Sequence, residues 1–490
     1  MHGAPVVRTR GLQRYSPHMT RRIPIAAALA ATIFTGCGVN HSEAPPPPPV
    51  PLDPAQAAAF LDTVEARTFH YFWDLTNTAN GLTPDRSPTP SFSSIAAVGF
   101  ALTAYPIGVE RGYITRADAG QRVVTTLRFF WTAPQDSAAS GSTGYHGFFY
   151  HFLDMNTGAR FQQVELSTID TALLLAGILT CQSYFDGTDA VETEIRGLAD
   201  SIYRRTDWQW AAPRAPLVAL GWHPDGPERG FLGYDWRGYN EAMILYILAL
   251  GSPTHAVAPG AWTGWTAPYQ WGTFYGQTHV GFAPLFGHHY SHVWIDFRRI
   301  QDVYMQGRGI DYFENSRRAT FAQRAYAYAN PGGWRGYNDR IWGLTASDGP
   351  GDVKLTIDGR PRQFHSYWAR GASFTETPDD GTIAPTAAGG SVPFAPEIAI
   401  PALYAMRHTY GDALFSTYGF RDAFNPTFTQ TSTAGWFDVD YLGIDQGPIL
   451  AMAENYRTEL IWRLMRGNAH IVRGLCRAGF TGGWIAGKCP

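Results

Sequence analysis

The sequence is poor in charged side chains. They make up 16% of the chain, and 38 basic against 41 acidic residues leave a formal net charge of −3. This balance gives no positive field to attract nucleic acid or an anionic membrane surface, so we expect neither as a partner. Aromatic residues, in contrast, reach 14%. Many rings and few charges suit a neutral, ring-stacking ligand such as a sugar, although a large aromatic core explains the composition equally well.

Cysteine is also scarce, with four residues in the chain. No CxxC pair or spaced Cys/His set is present, so the sequence predicts no zinc site and no cofactor. Cys476 and Cys489 lie in a glycine-rich tail and could form a disulfide in an oxidising compartment. Cys181 lies in an apolar helical segment and is predicted to be an inert core thiol.

The apolar run at residues 23–34 is too short to span a bilayer. It follows two arginines, as in a signal sequence, and ends at Phe34, Thr35, Gly36 and Cys37, which resembles a lipobox. We therefore predict that residues 1–37 are a signal segment lipidated at Cys37. Residues 38–52, with prolines at 45–49, are then a stiff tether. The prediction is an exported protein of the outer membrane or periplasm, with membrane contact only through the lipid anchor.

Residues 53–490 contain no second low-complexity linker and are predicted to form one domain. Segments 171–179 and 242–250 are apolar on nearly every face and must be buried all round, whereas 190–205 is amphipathic. Inner helices enclosed by outer helices indicate an all-α toroid with long aromatic-rich loops. A short β-hairpin is expected in the irregular stretch 348–391. The hydrophobic periodicity predicts helices at 53–75, 93–112, 115–131, 167–185, 190–208, 239–250, 311–329, 396–410 and 448–466.

The first candidate site group is Glu165 and Asp170. Ser167 and Asp170 have the spacing of a capping box, with Asp in place of the usual Glu or Gln, and that role alone explains Asp170. The functional alternative places Glu165 and Asp170 at the mouth of a buried helix. There they could hold sugar hydroxyls or a nucleophilic water.

The second candidate is Glu241, which is predicted to open a helix that is then almost wholly apolar. An apolar environment raises the pKa of a carboxyl group, as a general acid requires. The alternative is a first-turn glutamate favoured by the helix dipole. Asp235 and Arg237 could pair with each other or bind substrate, and Tyr239 is a further binding candidate.

The third candidate is Asp445. Pro448 suits a first helical position, so Asp445 is predicted to lie just outside a helix N-terminus, where an exposed turn carboxylate is the alternative. Farther along, Glu454 is predicted to be a buried partner of Arg457 or Arg463.

The fourth group follows position 287. His288 and His292 have i,i+4 spacing, but no HExxH pattern or third ligand accompanies them, so no metal is predicted. Hydrogen-bonding groups beside aromatic rings fit sugar contacts better. The predicted sugar-binding residues here are His289, His292, Trp294, Asp296 and Arg298.

These segments together resemble the glucoamylase-like domain of exported bacterial proteins, in particular glycoside hydrolase family 144. The matching segments are 165–177, 238–255, 289–298, 343–350, 395–401 and 443–456. The resemblance implies an (α/α)6 barrel and inverting, metal-independent hydrolysis of β-1,2-glucan. It also implies that Glu165, Asp170, Glu241 and Asp445 belong to the site. Glu241 is then the predicted general acid, and Asp445 or Asp170 the base that activates water.

Several properties stay open at this stage. We predict a monomer that cleaves β-1,2-glucan internally, but a long 348–391 stretch could block one end of the cleft and favour exo cleavage. An α-glucan glucoamylase is the alternative enzyme, since the same architecture hosts it. The alternative outside enzymes is a tethered glycan-binding lipoprotein without catalysis.

Overall fold

Helices account for most of the regular structure in residues 45–489, the part of the chain that this computed structural model describes. All of it belongs to one unit, Ala44–Pro490. The helices are α1 Pro54–Leu75, α2 Ile95–Glu110, α3 Arg116–Thr132, α4 Thr168–Tyr184, α5 Ala190–Arg205, α6 Met243–Gly251, α7 Ala261–Thr266, α8 Phe286–Trp294, α9 Val303–Gln306, α10 Tyr312–Ala329, α11 Pro385–Gly389, α12 Pro396–Tyr410, α13 Gly443–Thr458, α14 Leu460–Gly467 and α15 Ala469–Arg477.

Outer and inner helices alternate in six pairs, which confirms the predicted (α/α)6 toroid. The pairs are α1–α2, α3–α4, α5–α6, α7–α8, α10–α11 and α12–α13. The inner members are buried on nearly every face: all nine residues of α6 are buried, as are most residues of α2 and α4. The outer helix α5 buries only one stripe, as its amphipathic sequence predicts.

Two glycines allow the inner helices α2 and α4 to pack at very short distance. A Cβ atom on Gly99 would lie 2.4 Å from the carbonyl oxygen of Leu173, and one on Gly177 would lie 2.1 Å from the carbonyl oxygen of Gly99. No side chain fits at such distances, so this crossing requires glycine on both helices.

Short strands lie between the helices of residues 45–489. They are β1 Arg86–Ser87, β2 Ser93–Ser94, β3 Gly144–Tyr145, β4 Phe148–Tyr150, β5 Phe152–Leu153, β6 Leu166–Ser167, β7 Gly221–His223, β8 Gly230–Phe231, β9 Trp271–Phe274, β10 Gln277–Val280, β11 Ala346–Ser347, β12 Val353–Ile357, β13 Arg360–Phe364, β14 Trp368–Ala369, β15 Phe415–Ser416, β16 Gly419–Phe420, β17 Phe424–Asn425, β18 Trp436–Phe437 and β19 Tyr441–Leu442.

Antiparallel pairing of these strands connects one end of the toroid. Strands β3, β4, β6, β7 and β8 form a five-stranded sheet, and β1 pairs with β19 and β2 with β5. Strands β2, β6 and β19 directly precede α2, α4 and α13. The sheet and the pairs therefore hold the N-termini of these inner helices, where the candidate carboxylates lie.

The last predicted helix differs most from the structure. It begins at Gly443 rather than at Pro448, and it is divided from α14 by Glu459, whose φ of 58° is left-handed. Asp445 consequently lies inside the first turn of α13, not outside it. Sequence periodicity also missed five helices, namely α7, α8, α9, α11 and α15.

Cys476 and Cys489 form the disulfide that the sequence left open, and the prediction that Cys181 is a buried free thiol is confirmed. The expected hairpin in 348–391 is the β12–β13 pair. The predicted signal segment, Cys37 and the first part of the tether lie outside the described residues. Among the described residues, the Pro47 carbonyl accepts a hydrogen bond from Arg324, so the middle of the proline run contacts the body. Within residues 45–489 no helix has both the length and the apolar character needed to cross a membrane.

Candidate active site

A group of carboxyl groups lies around the N-terminal ends of the inner helices, and we call it the acidic pocket. Tyr290 of α8 lies among them: after burial, the charges of Asp445, Glu241 and Asp170 contribute to a pKa well above the usual value of this tyrosine. The structure thus brings together the three carboxylates predicted to be catalytic. The members of the acidic pocket are Asp85, Asp170, Glu241, Asp348, Asp422, Asp438 and Asp445.

Glu241 lies in the turn that precedes α6, two residues before the helix begins. Its carbonyl oxygen accepts a hydrogen bond from Ser291 Oγ at 3.0 Å, and Asn240 Oδ1 accepts one from the Ala242 amide at 3.0 Å, so the backbone here is fixed to α8. Burial, and then the charge of Asp170, raise the pKa of Glu241 to about 7. A carboxyl group with this pKa holds a proton near neutral pH and can donate it.

His151 is a member of the site that the sequence did not identify. Its Nδ1 lies 2.8 Å from Glu165 Oε1, and its Nε2 lies 3.5 Å from Asp170 Oδ2. Burial by itself lowers the pKa of His151, but the charges of Asp170 and Glu165 outweigh it and raise the pKa to about 9. Burial opposes ionisation of Glu165, yet the imidazolium holds its pKa below the usual value. This side of the pocket therefore carries ionised groups.

Asp170 has both of the roles that the sequence left open. The Ser167 hydroxyl accepts a hydrogen bond from the Asp170 amide at 3.2 Å, which confirms the helix cap, but it also donates to the Asp170 carboxylate at 2.5 Å, whereas in a full capping box that carboxylate binds the backbone amide. The same carboxylate faces His151 and raises the pKa of Glu241. Capping thus positions Asp170 in the pocket.

Asp445 and Asp422, two other members of the pocket, are joined by a proton. Burial is the main cause that raises the pKa of Asp445 and of Asp422, and a hydrogen bond joins the two carboxyls. That bond raises the pKa of Asp422 and lowers that of Asp445, so Asp422 is the donor and Asp445 the acceptor. Of the two, Asp445 ionises first and is the better candidate for a base.

Asp348, Asp422 and Asp438 each present an oxygen within 4.8 Å of the other two, and among the described residues this is the group with the spacing of metal ligands. Arg86 supplies positive charge here, with Nη1 2.5 Å from Asp348 and Nε 3.2 Å from Asp85. Carboxylates packed this closely can also accept hydrogen bonds from several sugar hydroxyls.

The substrate-binding residues predicted just before Glu241 are not seen to join the acidic pocket. Asp235 does not pair with Arg237, because its carboxylate is held by Arg214 at 2.6 Å. Arg237 is exposed, and Tyr239 is buried with its ring stacked on that of Tyr312 at 6.0 Å. None of the three is among the groups that shift the pKa of Glu241.

The five sugar-binding residues predicted around α8 are bonded to protein groups. His289 is paired with Ser391 Oγ at 2.9 Å, His292 with Ser316 Oγ at 3.2 Å, and the Trp294 indole donates to Thr103 at 3.0 Å. All three are buried, and burial lowers the pKa of both histidines. They fasten α8 inside the toroid.

The remaining two residues of this group form an ion-pair cluster. Asp296 is 2% exposed and accepts from Arg298 Nε at 2.7 Å and from Arg466. Arg298 also reaches Glu459 at 2.9 Å, and its guanidinium lies over the Trp462 ring. The structure thus bonds these side chains to one another and not to the acidic pocket.

Comparison with known proteins agrees with this architecture. A family profile described as "Putative glucoamylase" matches residues 233–469. A solved structure of the same name from Bacteroides uniformis is 32% identical, with a TM-score of 0.75 over 87% of this chain and 98% of that one. The endo-β-1,2-glucanase of Chitinophaga pinensis, solved with sophorotriose and glucose, is 27% identical, with a TM-score of 0.75 over 87% of this chain and 99% of that one.

A curated relative is the exo β-1,2-glucooligosaccharide sophorohydrolase of Parabacteroides distasonis. It is 30% identical over 446 residues, which are 85% of this chain and 57% of the relative. The chain therefore spans little more than half the length of that protein.

Proposed function

We propose, since this chain belongs to the glucoamylase-like family of glycoside hydrolases, that it hydrolyses β-1,2-glucan. Two similar proteins are named for action on this glucan, one as a sophorohydrolase and one as an endo-β-1,2-glucanase. The observation that carries the proposal is the Glu241 carboxyl, which has a pKa of about 7 and shares one pocket with Asp445.

In the proposed reaction Glu241 is the general acid. It donates its proton to the glycosidic oxygen while the bond from that oxygen to the anomeric carbon breaks. Asp445 accepts a proton from a water molecule, whose oxygen attacks the anomeric carbon from the opposite face. The product is therefore released with inverted anomeric configuration. No residue of this scheme requires a metal ion.

Asp445 is preferred over Asp170 as the base because of their neighbours. Asp170 is already engaged by the His151 imidazolium and by the Ser167 hydroxyl. Asp445 accepts from a protonated carboxyl, and burial raises its pKa, so it is a stronger base than an ordinary aspartate. Asp170 then serves to hold a sugar hydroxyl and to keep Glu241 protonated.

We also propose that the enzyme cleaves internal linkages and releases short β-1,2-gluco-oligosaccharides. The experiment is a time course on purified β-1,2-glucan, with oligosaccharide lengths separated by chromatography and anomers followed by proton NMR. A ladder of products with the α-anomer formed first is expected. Sophorose as the sole early product would show that cleavage is exo rather than endo. A first-formed β-anomer would exclude inversion.

The same assay tests the two other functions. Release of glucose from starch, with no change in β-1,2-glucan, would identify an α-glucan glucoamylase. Binding of β-1,2-glucan without any increase in reducing ends would indicate a glycan-binding protein, and the hydrolase proposal would then be wrong.

For location, we propose export and lipid anchoring at Cys37. The motif before Cys37 supports lipidation, and the disulfide between Cys476 and Cys489 suits an oxidising compartment. Expression in a bacterial host with radiolabelled palmitate should label the wild type in the membrane fraction. A Cys37→Ser variant should be unlabelled, and equal labelling of both proteins would contradict the anchor.

A further inference from the structure

Tyr367 is a partly exposed residue whose phenol lies close to the acidic pocket. The residue is 43% exposed. Burial of the phenol group, followed by the charges of Asp445, Asp422 and Asp348, raises the pKa of Tyr367 well above its usual value. The phenol therefore lies close to three members of the acidic pocket, in a residue that a ligand can reach from solvent.

Strand pairing fixes the position of Tyr367 along the rim. Strand β14 pairs antiparallel with β11, with Ser347 opposite Trp368. The next position in this register places Tyr367 opposite Asp348, a member of the acidic pocket. Tyr367 thus belongs to the pocket by backbone geometry as well as by charge.

A buried arginine holds this loop rigid. Arg370 is fully buried and donates from Nε and Nη2 to the Asp380 carboxylate at 2.7 and 2.8 Å. It also donates to the Ser347 carbonyl at 2.7 Å and to the carbonyls of His365 and Ser366 at 3.1 Å. With a further bond from Arg370 to the Trp368 carbonyl at 3.3 Å, they fix the backbone on both sides of Tyr367 before any ligand arrives.

We propose that Tyr367 is a sugar-stacking platform that binds a glucosyl ring next to the residue being cleaved. This inference rests on the proposed hydrolysis of β-1,2-glucan. A pyranose exposes a face of C–H groups that packs on an aromatic ring, and its hydroxyls need the polar groups that surround it. The Tyr367 ring provides the packing surface, and Asp348 and the Tyr367 hydroxyl provide the polar groups. A rigid platform loses little conformational entropy on binding.

The test compares Tyr367→Ala with Tyr367→Phe. The alanine variant loses the stacking surface, so KM for β-1,2-gluco-oligosaccharides should rise about tenfold, with a much smaller change in kcat. The phenylalanine variant keeps the ring and should stay within about threefold of the wild-type KM. Tyr328→Ala is the matched control, because Tyr328 is 41% exposed but lies on the outer helix α10, and its KM should equal that of the wild type.

Titration of an oligosaccharide into Glu241→Gln, with and without Tyr367→Ala, measures binding without turnover. About tenfold weaker binding in the double variant is expected. If the wild type hydrolyses the glucan but Tyr367→Ala leaves KM and binding unchanged, the platform is wrong and the proposed function stands. If the wild type neither binds nor cleaves β-1,2-glucan, both fail. Melting temperatures of all variants show whether a loss of binding reflects loss of folding.

Discussion

The inner helix α13 has a buried carboxyl near each end, and the two are neutralised differently. Near its N-terminus, Asp445 is 3% exposed and is hydrogen bonded to another carboxyl, that of Asp422. Near its C-terminus, Glu454 is 1% exposed and accepts from Arg111 at 2.6 Å. A buried carboxyl needs either a partner cation or a proton. The C-terminal end uses a guanidinium, and the N-terminal end uses a proton that can be transferred.

The partner groups, and not the pKa alone, separate structural acids from chemical ones, because burial and the charge of Glu454 raise the pKa of Glu65 to about 7 as well. Glu65 of α1 joins the C-terminal cluster with Arg457 and Arg111 and ties an outer helix to two inner ones. Such bonded pairs change little during a reaction. In the acidic pocket burial instead favours the protonated forms of Glu241 and Asp422, so carboxyl groups give cohesion at one end of the toroid and, in the proposed reaction, acid–base chemistry at the other.

Removal of the Glu241 proton donor should have the largest effect. We expect Glu241→Gln to lower kcat on β-1,2-glucan by about 100- to 10,000-fold, because general acid catalysis contributes that much. The assay is the rate of reducing-end formation, with melting temperature as the folding control. Less than about a fivefold loss would show that another group donates the proton.

The pKa of the Glu241 carboxyl also determines the expected pH profile of the wild type. As a general acid Glu241 must be protonated, so wild-type kcat/KM should fall as the pH rises through about 7. Asp445 acts ionised, and its raised pKa places the acidic limb higher than an ordinary aspartate would. The expected profile is a narrow bell near neutrality.

Substitution of either candidate base should lower kcat less than the loss of Glu241, and the two losses should be unequal. Asp445→Asn is expected to lower kcat by about 100-fold or more because no base activates water. Asp170→Asn should retain more activity and shift the alkaline limb to lower pH, since the Asp170 charge raises the pKa of Glu241. Rate–pH profiles of both variants decide this, and the reverse order of losses would make Asp170 the base.

Loss of His151 should have an intermediate effect on rate. His151→Gln removes the cation between Glu165 and Asp170, and we expect kcat/KM to fall by about tenfold through misplacement of these carboxylates. In ¹⁵N NMR of labelled histidines, the wild type should contain an imidazolium that persists to about pH 9 and is absent from the variant. Wild-type kinetics in His151→Gln would reduce His151 to a packing residue.

At the opposite end of α13, the effect should be on stability alone. Glu454→Gln removes the nearer of the two buried carboxylates that pair with Arg111, while Glu65 stays at 3.5 Å, and a cost of about 1–3 kcal/mol in the free energy of unfolding is expected. The kcat of the folded enzyme should be unchanged. A fall in kcat comparable to that of Asp445→Asn would break the distinction between the two ends.

The sequence predicted the toroid well because its inner helices are apolar on every face. It misplaced the start of α13 because Pro448 suggested a first helical position. In the structure Pro448 is the sixth residue of the helix, where a missing amide costs one intrahelical bond. Local spacing does not reveal that the surrounding helices bury this turn and compensate for the loss.

The acidic pocket was only partly predictable. Glu241 stands before an apolar helix, and that pattern alone implies a raised pKa. His151 gave no such signal, since 14 residues separate it from Glu165 and only the pairing of β4 with β6 brings them together. The residues of α8 gave a sequence signal that was misleading. Polar groups beside aromatic rings look like sugar contacts, but the fold turns His289 and His292 inward to Ser391 and Ser316.

The close crossing at Gly99 and Gly177 limits which amino-acid substitutions this protein tolerates. Asp170 lies about two turns from Gly177 on the same helix, so the separation of α2 and α4 also sets where this carboxylate stands. In a library of single substitutions both positions should be as intolerant as the acids themselves, although neither touches substrate. Redesign of the specificity of this toroid is therefore best confined to its loops, where a changed side chain leaves the ring diameter intact.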